Sequence, residues 1–209
     1  MGSGVDEGTA ASRRRGTIGV LLGTAGLLVS GAVARRGLPA AERDVFRAAN
    51  DVPIEAYPVI WAPMQFGTFG TAPALAAVAA LRGRRRLAIS LVAAGTLAWV
   101  GAKAVKRVVR RERPARIIPD VRIRGEDEGD RGFPSGHAAV SAALSTVAMP
   151  ALSPAGRAGV AGLAASVAYA RVYVGVHLPL DVVGGAALGV ALGSAVRLLI
   201  GDAPRGARP

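Results

Sequence analysis

The chain has 209 residues, 51% of them hydrophobic but only 4% aromatic, with 28 glycines and a formal charge of +12. Its apolar content comes from Ala, Val, Leu and Ile, which favours helices over sheets, and a mean hydropathy of +0.38 points to a membrane domain. The absence of cysteine excludes disulfides and thiolate metal sites, and basic residues that punctuate long apolar runs argue against a nucleic-acid partner.

Residues 1–16 are small and polar and end in Arg13, Arg14 and Arg15, the composition of a disordered tail. An uncharged run of spanning length follows at 17–34. Ala32-Val33-Ala34 resembles a cleavage site, but the run exceeds the about 7 to 15 apolar residues of a signal peptide, so an uncleaved first span is expected. Residues 36–57 mix charges with Leu38, Val45, Phe46 and Ala49 and read as an amphipathic interfacial helix. A second span is expected at 59–81, ended by the basic loop Arg82, Arg84, Arg85 and Arg86. The third run, 87–102, continues as a basic helix through Lys103, Lys106 and Arg110 to Arg113, where Pro114 stops it.

Residues 115–133 read as an exposed loop, in which Glu126, Asp127, Glu128 and Asp130 form a solvated acidic run without a calcium-loop pattern. Three more apolar runs occupy 137–152, 155–174 and 178–200. The expectation is one all-α membrane domain at 17–201 with six spans, followed by a short tail at 202–209. With the first arginines in the cytoplasm, six alternating spans place segments 106–137 and 171–181 together on the opposite face. That assignment puts 11 Lys and Arg inside and 15 outside, against the positive-inside rule, but ten of the fifteen lie between Lys103 and Arg131, where an anion site accounts for them.

Three segments on that face carry chemistry. Lys106 and Arg113, nearly two turns apart, are expected to project from one side of a helix as a cationic clamp, while Lys103 and Arg110 read as cations snorkelling to headgroups. In Pro134-Ser135-Gly136-His137, Ser135 can cap the following helix, Gly136 admits close backbone approach, and the first-turn amides bind an anion. Arg171 offers a planar fork to phosphate oxygens. Asp181 can take a proton from one nitrogen of His177 and leave the other free to attack phosphorus.

Taken together, Lys106 with Arg113-Pro114, then Pro134-Ser135-Gly136-His137, then Arg171, His177 and Asp181 resemble the three-part motif of the type 2 phosphatidic acid phosphatase (PAP2) family, over the 76 residues from Lys106 to Asp181. The resemblance implies a six-helix membrane bundle of the PAP2/haloperoxidase-like type. It makes His177 the nucleophile of a phosphohistidine intermediate, with Asp181 hydrogen-bonded to it and His137 the general acid and base. It assigns Lys106, Arg113, Ser135, Gly136 and Arg171 to the phosphoryl oxygens, and it implies no metal and no cofactor. The substrate class is a lipid phosphate or pyrophosphate: polyprenyl pyrophosphate, phosphatidate, phosphatidylglycerol phosphate or a polyprenyl-linked sugar phosphate. The location is the cytoplasmic membrane, among membrane lipids, with the site facing outward. Ala170 departs from the family pattern, which usually has Ser there, and puts rate or affinity in doubt more than the reaction. Two competitors remain: a non-catalytic phospholipid-binding or transport protein, and an oxidative enzyme like the soluble vanadate haloperoxidases that share the motif. Nothing in the sequence speaks to oligomeric state.

Overall fold

The computed structural model describes residues 3–125, 129 and 131–202, so the acidic run Glu126, Asp127, Glu128 and Asp130 and most of the expected C-terminal tail lie outside the described residues. Those described form nine α-helices: α1 (Ser3–Arg35), α2 (Ala40–Asn50), α3 (Tyr57–Met64), α4 (Thr71–Leu81), α5 (Arg85–Val109), α6 (Pro114–Ile117), α7 (Gly136–Ala148), α8 (Pro154–Tyr173) and α9 (Pro179–Ile200). Their only extended pairing is an isolated bridge between Glu112 and Arg131. The all-α expectation holds.

α9 is the centre of the bundle and packs against α1, α5 and α7. It approaches α7 closely because Gly185, Gly189 and Gly193 fall on one face at four-residue spacing. A Cβ at Gly189 would come within 2.8 Å of Ala142 Cβ and 2.9 Å of Ala143 N, and one at Gly193 within 2.9 Å of Ala143 O. Small residues at this period let two helix backbones meet in a membrane, where van der Waals contact drives association. On another face, a Cβ at Gly23 of α1 would sit 2.6 Å from Ala187 O and Ala191 N. The core beside this seam is built largely from alanine, with Ala94, Ala98, Ala102, Ala139 and Ala143 fully buried. Close helix approach replaces large aromatic side chains as the means of filling space.

Four expectations are corrected by these helices. α1 already begins at Ser3, where a disordered tail is expected. Its amino-terminal turns find partners that composition does not reveal: Gly16 lies against Leu198 of α9, and the Ser12 hydroxyl donates to Asp202. The amphipathic segment is broken: α2 runs from Ala40 to Asn50, burying Phe46 and Ala49, and after Pro53 a short 3-10 turn at Ile54–Ala56 leads into α3. The second apolar run is broken rather than continuous. α3 and its following turn meet α4 at a 69° bend, and the Thr68 and Thr71 hydroxyls both donate to Gln65 O at 2.9 Å to close the corner.

The third run ends at Val109, not Arg113. Arg110 takes a left-handed conformation (φ 54°), an uncommon state for a residue other than Gly, and its Nε donates back to Arg107 O at 3.0 Å. Lys106 and Arg113 therefore do not share a helix face; Arg113 is the residue that opens α6. As for spans, three helices, α1 from Gly8 to Ala34, α5 and α9, are long and apolar enough to cross a membrane, and the count rises to four where the bent α3–α4 pair is taken as one span rather than a re-entrant loop. α7, at 13 residues, is too short to cross about 30 Å of hydrocarbon alone.

Candidate active site

The seam between α7 and α9 brings two of the three motif segments together. Ser135 N donates to Asp181 O at 2.8 Å, which ties the start of α7 to the first turn of α9. The Ser135 hydroxyl is fully buried and accepts from Ala138 N at 3.5 Å, so it caps α7. The third segment enters from α5 and the loop after it. Lys106 Nζ donates to Arg131 O at 2.8 Å, and Arg113 Nη1 donates to Val176 O at 3.1 Å, next to His177 in sequence.

Lys106, Arg113, Gly136, His137 and His177 line one open cavity of about 780 Å³. The cavity lining does not include Arg171, Asp181 or Ser135, all of which are buried. Arg171 Nη1 lies 3.8 Å from Met64 Sδ. Among the charges acting on His177, that of Arg171 is the strongest, followed by Lys106, Arg113 and His137. Burial above all, and then these charges, hold the His177 imidazole well below its ordinary pKa of 6.5, so it is neutral at pH 7. A neutral ring is the nucleophilic form. Its Nδ1 stands 3.5 Å from Asp181 Oδ2, in register but beyond the usual length of a hydrogen bond. Catalytic contacts of this kind commonly tighten only when substrate binds.

Two residues outside the motifs complete the site from behind. Arg111 is buried and forks onto Glu42, with Nη1 to Oε1 at 2.9 Å and Nη2 to Oε2 at 2.5 Å, while Nη1 also reaches Asp181 Oδ1 at 3.0 Å. Glu42 Oε1 accepts in addition from Leu180 N at 2.8 Å, and Asp181 Oδ2 accepts from Leu178 N at 2.9 Å. Glu42 left a readable trace: with Phe46 and Ala49 it falls on one helical face, the face α2 buries. Arg111 left none, being one of several basic residues beyond α5. Gly67, at the α3–α4 corner, is a third missed position. A Cβ there would meet His137 O at 2.8 Å and His137 Cβ at 2.9 Å, so the corner presses on the second histidine.

Among the described residues no group of three or more His, Asp or Glu could hold a metal ion. What the site presents is a buried neutral imidazole beside a carboxylate, a second imidazole, and converging cations, a constellation suited to binding and attacking a tetrahedral anion. The PAP2 superfamily model matches residues 71–205, and the chain belongs to that family. It is 39% identical over 115 residues to a decaprenylphosphoryl-5-phosphoribose phosphatase of Mycolicibacterium smegmatis, covering 54% of this chain and 61% of that protein. It is 33% identical over 120 residues to an undecaprenyl-diphosphatase of Sulfolobus acidocaldarius, covering 56% and 57%. The chain thus spans less than two thirds of the length of these curated relatives. The fold is similar to that of Aquifex aeolicus LpxE, with a TM-score of 0.69 and 26% identity over 76% of this chain and 95% of that one. It is also similar to the transmembrane PAP2-type phosphatidylglycerolphosphate phosphatase of Bacillus subtilis, with a TM-score of 0.63 and 23% identity over 82% and 92%.

Proposed function

We propose that this chain is a lipid phosphatase of the cytoplasmic membrane that hydrolyses a lipid phosphate or pyrophosphate at its outer face. One observation carries the reading: buried, neutral His177 and the half-buried His137 open onto a single cavity whose described lining residues include five Lys and Arg and no Asp or Glu. In the first step a ring nitrogen of His177 attacks phosphorus, the bond to the leaving oxygen breaks, and His137 gives that oxygen a proton. In the second, His137 takes a proton from water, whose oxygen attacks the phosphohistidine, releasing inorganic phosphate and restoring His177. Lys106, Arg113, Arg171 and the Gly136 amide stabilise the charge on the phosphoryl oxygens, Ser135 keeps the first turn of α7 in place, and Asp181 closes on His177 Nδ1 as the ring becomes cationic.

Six membrane crossings fit this reading. α8, at 20 residues, matches a hydrocarbon core of about 30 Å, and α7 is enclosed by α5, α8 and α9, so its short length need not meet lipid. The names of the two sequence relatives favour a polyprenyl-linked phosphate over a glycerolipid. The test is phosphate release from undecaprenyl diphosphate, a polyprenyl-linked sugar phosphate and phosphatidate by purified protein in detergent with chelator present. The unmutated protein should turn over at least one of them, and His177→Asn should be slower by on the order of a thousandfold or more. Undiminished release by a folded His177→Asn variant rejects the assignment, and tight binding without turnover by the unmutated protein favours a lipid carrier.

A further inference from the structure

The cavity carries more positive charge than one phosphoryl group requires. Lys103, Arg107 and Arg131 line it together with Lys106 and Arg113, and none of its described lining residues is Asp or Glu. A phosphate monoester brings a charge of about −1.5 to −2 at pH 7, less than half of those five cations. Like charges gathered around one open cavity draw in an occupant of matching opposite charge. A volume of about 780 Å³ leaves room for a group larger than one phosphate.

The additional cations are ordered along α5. Lys103 and Arg107 are four residues apart and so share a face, and Lys103 lies one turn before Lys106, about 4.5 Å towards the apolar part of the helix. The Lys103 side chain, exposed on α5, folds back over an aromatic ring. Its ammonium sits 3.4 Å from the centroid of the Trp99 ring, and Trp99 in turn packs on Phe69 with centroids 5.1 Å apart. Both rings line the same cavity. A cation held over an aromatic face is pre-positioned to meet an anion in the cavity that His177 also lines.

We propose that Lys103 and Arg107 form a second anion subsite, which binds the phosphate that stays on the lipid while His177 takes the terminal one. The preferred ligand is a lipid with two phosphates in series, a diphosphate ester, rather than a lipid monophosphate. This inference rests on the phosphatase reading of His177 and adds selectivity to it.

Farnesyl diphosphate and farnesyl monophosphate share one tail and separate the two ideas. For each, kcat/KM is measured by phosphate release in detergent for the unmutated protein, Lys103→Gln, Arg107→Gln and the double variant. The unmutated protein should prefer the diphosphate. In the double variant the diphosphate should lose tenfold or more relative to the monophosphate, through KM, and each single variant should lose part of that. An unchanged ratio, or an equal fall for both substrates, overturns the subsite. Equilibrium binding of farnesyl methylenediphosphonate against farnesyl phosphonate gives the same comparison without turnover. If no phosphate is released from either ester, the catalytic reading fails, while the binding ratio still decides whether the subsite exists.

Discussion

Arg111 connects two carboxylates that are far apart in sequence, and the sign of its effect follows from what its removal leaves behind. Without its guanidinium, Glu42 and Asp181 would face each other as buried carboxylates with no cation between them. Removing one member of such a buried network costs about 3–5 kcal/mol. Arg111→Met should therefore lower the thermal stability of the purified protein steeply, and combining it with Glu42→Gln should recover part of the loss, because the second change removes one of the stranded charges. Arg111→Lys keeps the charge but not the fork. It should fold and show a fall in kcat larger than any change in KM, since Asp181 would lose its orientation towards His177 while the cavity lining stays intact.

His177 gives the pH dependence of stability a definite sign. Its pKa is lowered in the folded protein, by burial first and neighbouring cations second, so the unfolded chain binds the proton more readily. Its effect on stability is absent above pH 6.5, where the ring is neutral in both states, and becomes destabilising as pH falls below 6.5 towards the folded value. A thermal-unfolding series across that range should show a steeper acid loss for the unmutated protein than for His177→Asn.

At the scale of elements, the α7–α9 seam sets how far apart the two histidines stand. Gly189→Val would drive side-chain atoms into the backbone of α7, which cannot yield as a flexible side chain would. It should lower both melting temperature and activity, the latter by more than tenfold, because His137 lies in α7 and His177 in the turn that leads directly into α9. Gly159→Ala on α8 is the matched control: a Cβ there meets nothing within 4 Å, and the change should be neutral or stabilise by up to about 1 kcal/mol.

The same elements explain what could be read in advance. His137, His177, Lys106, Arg113 and Arg171 stood out as reactive or charged types at apolar-run boundaries, in a chain with only two histidines. The break between α3 and α4 was not legible, because Pro63, Gly67 and Gly70 are all tolerated inside membrane helices and only the hydroxyl bonds of Thr68 and Thr71 select the bend. The end of α5 was hidden for a related reason. Pro114 is the obvious stop, whereas the actual one, at Arg110, depends on Arg111 turning inward to partners 69 and 70 residues away.

Over the whole molecule the formal charge is +12, and the five cations of the cavity face solution through its open side. Screening should therefore act on capture of an anionic substrate more than on chemistry at buried groups. Raising salt from about 0.01 M to 1 M shortens the Debye length from about 30 Å to 3 Å, and KM should rise several-fold while kcat changes little. α9 carries Asp181 at one end and is gripped on separate faces by α1, α5 and α7, with Leu188 and Leu192 against Gly101 of α5. Ten of its 22 residues are buried, Gly184, Gly185, Gly189 and Gly193 among them, while Val183 and Leu199 are 53% and 84% exposed. In a saturation library the buried glycine positions of this helix should tolerate substitution by size, accepting Ser or Ala where the contacts permit and rejecting bulkier residues whatever their polarity. Selection would then act on those positions of α9 as a gauge of thickness, and their record in related chains would be smallness kept in place while chemical character drifts.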